Sequence, residues 1–174
     1  MIVTVFGSSR PQPGDPEYET ARQLGHELAR SGFGVCTGGY AGTMEAVSRG
    51  AAEAGGRVLG VTARVFGRGA NAWVAEETHV QTWQERLFKL IELGDAYVAL
   101  PGGTGTLAEI AVVWEMMNKR ILAPRPFVLL GDFWCPIVAL VQAVETKGSP
   151  WLAASQTLIR FARDPEEACR LLRP

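Results

Sequence analysis

Short apolar runs recur along the 174-residue chain, and segments with helical spacing separate them. Because the runs are continuously apolar instead of alternating, each predicts a strand that is buried on both faces. Strands of this kind form a mostly parallel sheet covered by helices, as in doubly wound, Rossmann-like α/β folds. The runs are Ile2 to Phe6, Gly34 to Cys36, Val58 to Val61, Tyr97 to Leu100, Phe127 to Leu130 and Leu158 to Phe161, with a weaker strand over Thr78 to Gln81 at one end.

Two tripeptides mark helix starts, Asp15-Pro16-Glu17 and Asp164-Pro165-Glu166. Each places a capping side chain before a proline at the first helical position and an acid in the first turn. We therefore predict helices over about 16–30 and 165–172. Further apolar stripes at helical spacing predict core-facing helices, and they consist of Met44, Val47 and Ala51, then Leu87, Leu90, Ile91 and Leu93.

The stretch from Ala63 to Ala75 has the weakest pattern of the chain. It contains Gly67, Gly69 and Asn71, which favour turns. We expect a crossing loop there, and a lid over a binding site is the alternative.

Length and composition limit the class of protein. A chain of 174 residues suits a single domain, residues 1–174, with one core. The chain has no apolar run of about 18 residues, and its first segment is typical of a strand instead of a signal peptide. We therefore expect no membrane span and a cytoplasmic location.

Charge and cysteine content exclude further classes. A net charge of −1 without a basic cluster argues against binding to a nucleic acid polymer. Three widely spaced cysteines predict core thiols instead of disulfides or zinc ligands, namely Cys36, Cys135 and Cys169.

The most informative feature is a near-repeat of two glycine-rich loops. Each follows a predicted strand and opens a predicted helix, so both belong at the carboxyl edge of the sheet, where doubly wound folds bind ligands. The first runs Gly38-Gly39-Tyr40-Ala41-Gly42-Thr43-Met44-Glu45-Ala46 and the second Gly102-Gly103-Thr104-Gly105-Thr106-Leu107-Ala108-Glu109.

Both loops have the composition of a phosphate site. Glycines let the backbone approach an anion, helix N-termini present unpaired N–H groups, and threonine hydroxyls add donors. Neither loop has the dinucleotide G-x-G-x-x-G or the P-loop spacing, and a tight turn with a threonine cap is the alternative for either one. The candidate binding residues are Gly38, Gly39, Gly42, Thr43, Gly102, Gly103, Thr104, Gly105 and Thr106, with Ser8 and Ser9 after the first strand as possible contacts to a ribose or base.

The segment Pro101 to Glu109 resembles the P-G-G-x-G-T-x-x-E signature of the LOG family, and Glu85-Arg86 resembles that family's arginine segment. The likeness extends from Phe6-Gly7-Ser8-Ser9 to about Gly131. It implies hydrolysis of the N-glycosidic bond of a nucleoside 5′-monophosphate, such as AMP or a cytokinin riboside monophosphate. We expect no cofactor. The likeness also implies Arg86 and Glu109 as the catalytic pair, and a homodimer or higher oligomer whose interface involves the helices that carry Trp83 and Trp114.

The sequence departs from common family members at three positions, where it has Thr104, Ala108 and Leu87. Gly42-Thr43-Met44-Glu45 also differs from the usual G-L-M-G, and resembles a bacterial branch that includes proteins suggested to carry molybdenum cofactor. A non-catalytic nucleotide or cofactor carrier is therefore the alternative function. The older lysine decarboxylase label fits worst, because pyridoxal phosphate requires a Schiff-base lysine and none follows a strand in a glycine-rich pocket among Lys89, Lys119 and Lys147.

Cleavage of a nucleoside bond passes through an oxocarbenium-like state, which needs a carboxylate and a fixed cation. Glu109 and Arg86 can supply these groups, whereas a helix-start acid and a surface arginine are the structural alternatives. Glu45 occupies the corresponding place in the first loop, and catalysis and helix stabilisation are equally good explanations for it. His26 and His79 have no second histidine at ligand spacing, so no metal is expected.

Overall fold

The computed structural model describes residues 1–145 and 157–173. Their strands form one seven-stranded, all-parallel sheet in the order β4-β3-β2-β1-β5-β6-β7. The sequence-based fold class is confirmed, and the weak strand lies at the sheet edge, as predicted. The strands are β1 (Ile2–Phe6), β2 (Gly34–Thr37), β3 (Val58–Ala63), β4 (Glu76–Val80), β5 (Ala96–Ala99), β6 (Phe127–Leu130) and β7 (Ile159–Ala162).

Helices cover both faces of the sheet, which explains why the inner strands are apolar throughout. The core on one face involves α1, α2 and α6, and the core on the other involves α3, α4 and α5. The helices are α1 (Pro16–Arg30), α2 (Thr43–Glu53), α3 (Trp83–Leu93), α4 (Thr104–Asn118), α5 (Cys135–Glu145) and α6 (Pro165–Leu172), and one 3₁₀ turn spans Arg64–Phe66. None of the helices in the described ranges is long and apolar enough to cross a membrane.

The two predicted helices with proline at the first position begin where expected, but only one of them has a side-chain hydrogen bond at its N-cap. The carboxylate of Asp164 accepts a hydrogen bond from the Glu167 amide at 2.8 Å, as a helix cap does. Asp15 occupies the cap position of α1 without capping it, because its carboxylate instead accepts from the amide of Gln12 at 2.8 Å. Asp15 therefore stabilises the loop before α1, and the predicted side-chain cap at this position is wrong.

The sheet has its point of reversal between β1 and β5. Strands β2 to β4 extend from β1 toward one edge of the sheet, and strands β5 to β7 extend toward the other. Phe6 of β1 is in register with Ala99 of β5, while Val5 pairs with Thr37 of β2 on the other side. The loops that leave β1, β2 and β5 therefore meet at one edge of the sheet. In doubly wound folds this point of reversal opens a crevice in which ligands bind.

Candidate active site

A cavity of about 930 Å³ opens at this edge of the sheet. Its walls come from the loops after β1, β2, β3, β5 and β6, together with the start of α3. Three predicted groups meet here, namely the two serines after β1, the catalytic pair and the five binding residues of the second loop. The predicted site residues that line the cavity are Ser8, Ser9, Arg86, Gly102, Gly103, Thr104, Gly105, Thr106 and Glu109.

The second glycine-rich loop presents an open helix N-terminus to the cavity. α4 begins at Thr104, and its cap residue Gly103 offers no side chain. Gly103, Thr104 and Gly105 are exposed, whereas Thr106 is buried. The first N–H groups of an α-helix have no intrahelical acceptor and carry the positive end of the helix dipole. This end of α4 can therefore bind an anion such as phosphate.

The first glycine-rich loop lies at the same edge but its helix N-terminus is closed. The amide and the hydroxyl of Thr43 both donate to the carbonyl of Ser8, at 2.8 and 3.0 Å. Gly42 has a φ of 73°, and a Cβ there would collide with the backbone of Ser8 and Ser9. Gly38, Gly39, Gly42 and Thr43 lie outside the cavity lining, in the layer that supports it.

Arg86 reaches the cavity from the first turn of α3 and is only 7% exposed. Its Nε donates to the carbonyl of Val61 at 2.8 Å, and one Nη donates to the carbonyl of Gly38 at 3.0 Å. The guanidinium also lies 5.2 Å from the ring centre of Tyr40 and 5.8 Å from that of Phe66. Burial lowers the pKa of Arg86, and the attraction of Glu109 opposes that change. The result is a cation held in a fixed position by carbonyls and rings.

Glu109 lies partly buried in the first turns of α4, on the cavity wall. Burial raises the pKa of its carboxyl from 4.5 to about 7, although the Arg86 charge acts in the opposite direction. Within residues 1–145 and 157–173, no hydrogen bond or direct ion pair holds the Glu109 carboxyl. A half-buried carboxyl without a structural partner, titrating near neutral pH, is typical of an acid or base that acts on a ligand.

Aromatic side chains in the cavity were not predicted from the sequence. Tyr40, Phe66, Trp83 and Phe133 line it, and the last three are 40–52% exposed. Phe66 follows β3 in the stretch that was expected to be a loop, and it packs edge-on against Tyr40 with ring centres 5.6 Å apart. Exposed aromatic residues just after strands were the available signal, since rings at a ligand edge can stack on a planar base.

The remaining candidates lie away from the chemistry. Glu45 accepts a hydrogen bond from the hydroxyl of Tyr18 at 3.2 Å, and the residue is not part of the cavity lining. Lys89 pairs with Glu92 and Lys119 with Glu115 on the helix surfaces, while Lys147 lies outside the described residues. The three thiols are unpaired, and burial raises the pKa of Cys36 to about 12 and that of Cys169 to about 11.

His79 Nδ1 lies 2.8 Å from the hydroxyl of the buried Thr62, and His26 lies 3.5 Å from a carboxylate oxygen of Glu27. Neither histidine lines the cavity. The part of the chain that the structure describes holds no cluster of three or more histidine, cysteine, aspartate or glutamate side chains that could bind a metal ion.

Comparison with known proteins identifies relatives of the whole chain. A cytokinin riboside 5′-monophosphate phosphoribohydrolase of Rhodococcoides fascians is 30% identical over 98% of this chain and 88% of its own length. A probable enzyme of the same name from Oryza sativa subsp. japonica is 34% identical over 97% of this chain and 70% of its own length.

Among solved structures, the molybdenum cofactor binding protein of Rippkaea orientalis has a TM-score of 0.73 and 26% identity, and covers 98% of this chain and 93% of its own. The molybdenum cofactor carrier protein of Chlamydomonas reinhardtii shares the fold, with a TM-score of 0.68 and 22% identity over 97% of this chain and 93% of its own. Residues 1–135 match the SLOG cluster4 family. The chain therefore belongs to the SLOG cluster4 family, and the resemblance to LOG proteins expected from its P-G-G-x-G-T-x-x-E segment is confirmed.

Proposed function

We propose that this protein hydrolyses the N-glycosidic bond of a nucleoside 5′-monophosphate, AMP or a cytokinin riboside monophosphate, to the free base and ribose 5-phosphate. One observation carries the proposal: the unpartnered Glu109 carboxyl shares a cavity with the open N-terminus of α4 and the fixed cation Arg86. The phosphoribohydrolase relatives at 30–34% identity support the same reaction class.

The 5′-phosphate would bind at Gly102 to Thr106, where the N–H groups and dipole of α4 favour an anion. Glu109 lies five residues after Thr104, one and a half turns along the same helix, so the phosphate anchor and the carboxyl belong to one rigid element. A ribose attached to that phosphate would come within reach of Glu109. Ser8 and Ser9, on the adjoining loop, would contact the sugar or base. Fixing the phosphate thus orients the glycosidic bond.

Glu109 in its ionised form would stabilise the positive charge that develops on the ribose as the C1′–N bond breaks. The same carboxylate can accept a proton from the water whose hydroxide adds to C1′, and the departing base takes up a proton from solvent, so that one water is divided between ribose and base. The absence of a structural partner for Glu109 within the described residues leaves both oxygens available for this work.

Arg86 would supply the fixed positive charge. Its Nε and one Nη already donate to backbone carbonyls, which leaves the other Nη without a hydrogen bond in the described chain and available to the ligand. An arginine held on several sides loses little freedom on binding an anion or a base acceptor. Exposed rings of Phe66, Trp83 and Phe133 would stack on the planar base.

We also propose a homodimer, as the LOG resemblance implies. The interface would involve α3 and α4, the helices that carry Trp83 and Trp114. Trp83 is 40% exposed, whereas Trp114 is buried at 5%.

A non-catalytic carrier of a nucleotide or of molybdenum cofactor is the second candidate. The cavity of about 930 Å³ is near the upper end for small-molecule sites, so it has room for a ligand larger than a mononucleotide. The cofactor-binding protein of Rippkaea orientalis, at 26% identity, supports this alternative. A carrier needs the loop backbone but has no need for an unpartnered carboxyl such as Glu109.

Release of ribose 5-phosphate and free base from AMP and a panel of other nucleoside monophosphates tests the proposal. We expect release by the wild-type protein and its loss in Arg86→Ala, with nucleotide binding measured in parallel. A correctly folded wild-type protein that releases nothing from any nucleotide would overturn hydrolysis. A pterin that copurifies tightly and is displaced by no nucleotide would establish the carrier instead.

A further inference from the structure

A second cavity of about 180 Å³ lies in the groove between α4 and α5, and it shares no lining residue with the candidate active site. Both helices follow neighbouring parallel strands and pack on the same face of the sheet, so they run side by side in one direction. Trp134 lines the groove near the start of α5, and Glu145 lines it at the end of that helix. The groove therefore leads away from the carboxyl edge of the sheet.

Three polar atoms in this groove are buried without a partner. They are the indole Nε1 of Trp114, the side-chain oxygen Oδ1 of Asn118 and the carboxylate oxygen Oε2 of Glu145, and none makes a hydrogen bond in the described chain. Trp114, Asn118 and Glu145 all line the same cavity. Leaving a buried polar group unpaired is destabilising, and native structures hold few such groups. Three beside one cavity point to a bound polar group.

The hydrogen-bonding capacity of the three atoms specifies that group. The Trp114 indole N–H donates, whereas the Asn118 Oδ1 and the Glu145 Oε2 are oxygens that accept. A complementary ligand must therefore offer one acceptor and two donors close together. A hydroxyl has a single donor and leaves one acceptor unsatisfied, whereas an amide-like edge, C=O or ring N beside NH₂, satisfies all three.

The remaining walls specify the body of the ligand. They are apolar and include the indole rings of Trp114 and Trp134 together with Leu107 and Ile110. A cavity of about 150 Å³ lined by apolar side chains accommodates a single aromatic ring. The 180 Å³ here therefore suits one ring that carries a small polar substituent.

We propose that the α4–α5 groove is a second ligand site, which binds small, neutral, planar molecules with an amide-like edge, such as aromatic carboxamides or amino-substituted heteroaromatic bases. The polar edge pairs with Trp114, Asn118 and Glu145, and the ring lies against the apolar walls. This site is independent of the hydrolysis proposed above, because it uses no residue of the candidate active site.

Benzamide is the probe, and toluene is its counterpart without the polar edge. Two-dimensional ¹H–¹⁵N spectra report the indole N–H of Trp114, assigned by its loss in Trp114→Phe. We expect saturable shifts of this signal with benzamide and affinity at least fivefold weaker for toluene. Trp114→Phe, followed through other groove signals, should weaken benzamide about 3- to 10-fold and toluene less than twofold, because it removes one hydrogen bond and keeps a ring.

A cavity-filling variant keeps the test informative if Trp114→Phe fails to fold. Ala111 lines the groove and is exposed, so Ala111→Leu should weaken benzamide at least tenfold, while Ala143→Leu, at an exposed site of α5 outside the lining, should change it less than twofold. No saturable shift at millimolar benzamide, equal affinity for toluene, or unchanged binding in Ala111→Leu would each overturn the proposal. Occlusion of the groove by a second copy, seen as benzamide binding that appears only on dilution to monomer, would overturn it too.

Discussion

The two glycine-rich loops have nearly the same sequence and the same position in the fold, yet only one presents an open helix end. In the loop before α4, Gly103 and Gly105 are exposed to the cavity. In the loop before α2, the carbonyl of Ser8 accepts from both the amide and the hydroxyl of Thr43. The first loop therefore already binds an oxygen, one supplied by the protein itself, and the second remains able to bind one from a ligand.

The acids that follow the loops differ in the same way. Glu45 accepts a hydrogen bond from Tyr18 and lies outside the cavity lining. Glu109 faces the cavity, and burial raises its pKa to about 7. Equivalent positions in a near-repeat thus carry different chemistry. The α2 loop supports the site through the Gly38 carbonyl, which accepts from Arg86, and adds Tyr40 to the cavity wall, whereas the α4 loop provides the helix end that an anion would contact.

The largest expected effect is on turnover, and it should distinguish Glu109 from Glu45. Glu109→Gln should lower turnover of a nucleoside monophosphate by at least about 100-fold, because removal of an acid–base group has that magnitude. Glu45→Gln, the matched change in the other loop, should leave turnover within about threefold. Ribose 5-phosphate release measures both. Equal losses in the two variants, with both folded, would mean that Glu45 also acts in catalysis.

The next effect distinguishes the α4 loop from the α2 loop, because substitutions there should change different quantities, substrate affinity in one and stability in the other. A side chain at Gly105 would meet no atom within 4 Å, so Gly105→Asp should fold normally and raise the KM for a nucleoside monophosphate about 10- to 100-fold by repelling the phosphate. Gly42→Ala should instead lower the free energy of unfolding by about 2–4 kcal/mol, because φ at Gly42 is 73° and the new Cβ would collide with Ser8 and Ser9.

Steady-state kinetics and denaturant titration measure these two outcomes. Gly105→Ala is the control for Gly105→Asp, since it adds bulk without charge and should raise KM less. An unchanged KM in Gly105→Asp would contradict phosphate binding at the α4 loop. A Gly42→Ala protein as stable as the wild type would show that the first helix end is not closed in solution.

The pH dependence of the reaction tests the ionisation of Glu109. If the carboxylate is the active form, kcat/KM of the free enzyme should rise about tenfold per pH unit below about 7 and level off above it. In Arg86→Met the pKa of the Glu109 carboxyl itself, followed by a ¹³C NMR titration that needs no turnover, should be higher, because the Arg86 charge lowers it. A profile that falls through pH 7 would instead make Glu109 a general acid.

The same carboxyl should make stability depend on pH in the opposite direction. The folded protein holds the Glu109 proton up to about pH 7, whereas the unfolded chain releases it near 4.5, so the free energy of unfolding falls as pH rises between these values. Glu109→Gln removes this loss and should be more stable than the wild type by about 1–3 kcal/mol at pH 8, and by much less at pH 4. Thermal unfolding at both pH values checks the difference.

The sheet and the second loop could be predicted from the sequence because their determinants are local. Continuous apolar runs identify buried parallel strands, and a glycine-rich turn after β5 identifies an open helix start. The state of the first loop could not be predicted, because Ser8 lies 35 positions before Thr43 and meets it only after β1 and β2 pair. The burial of Arg86 has the same origin, since its acceptors are Val61 in β3 and Gly38 in the loop directly after β2.

The smallest effect concerns the partner that distinguishes Glu45 from Glu109. Tyr18 is fully buried, and its hydroxyl donates to Glu45 at 3.2 Å. Tyr18→Phe keeps the ring and removes that hydrogen bond, so it should lower the free energy of unfolding by about 0.5–1.5 kcal/mol and leave kcat and KM within about twofold. Denaturant titration and ribose 5-phosphate release measure the two effects. A large loss of turnover without a change in stability would mean that Tyr18 holds Glu45 for chemistry, and the contrast between the two loops would then be one of degree.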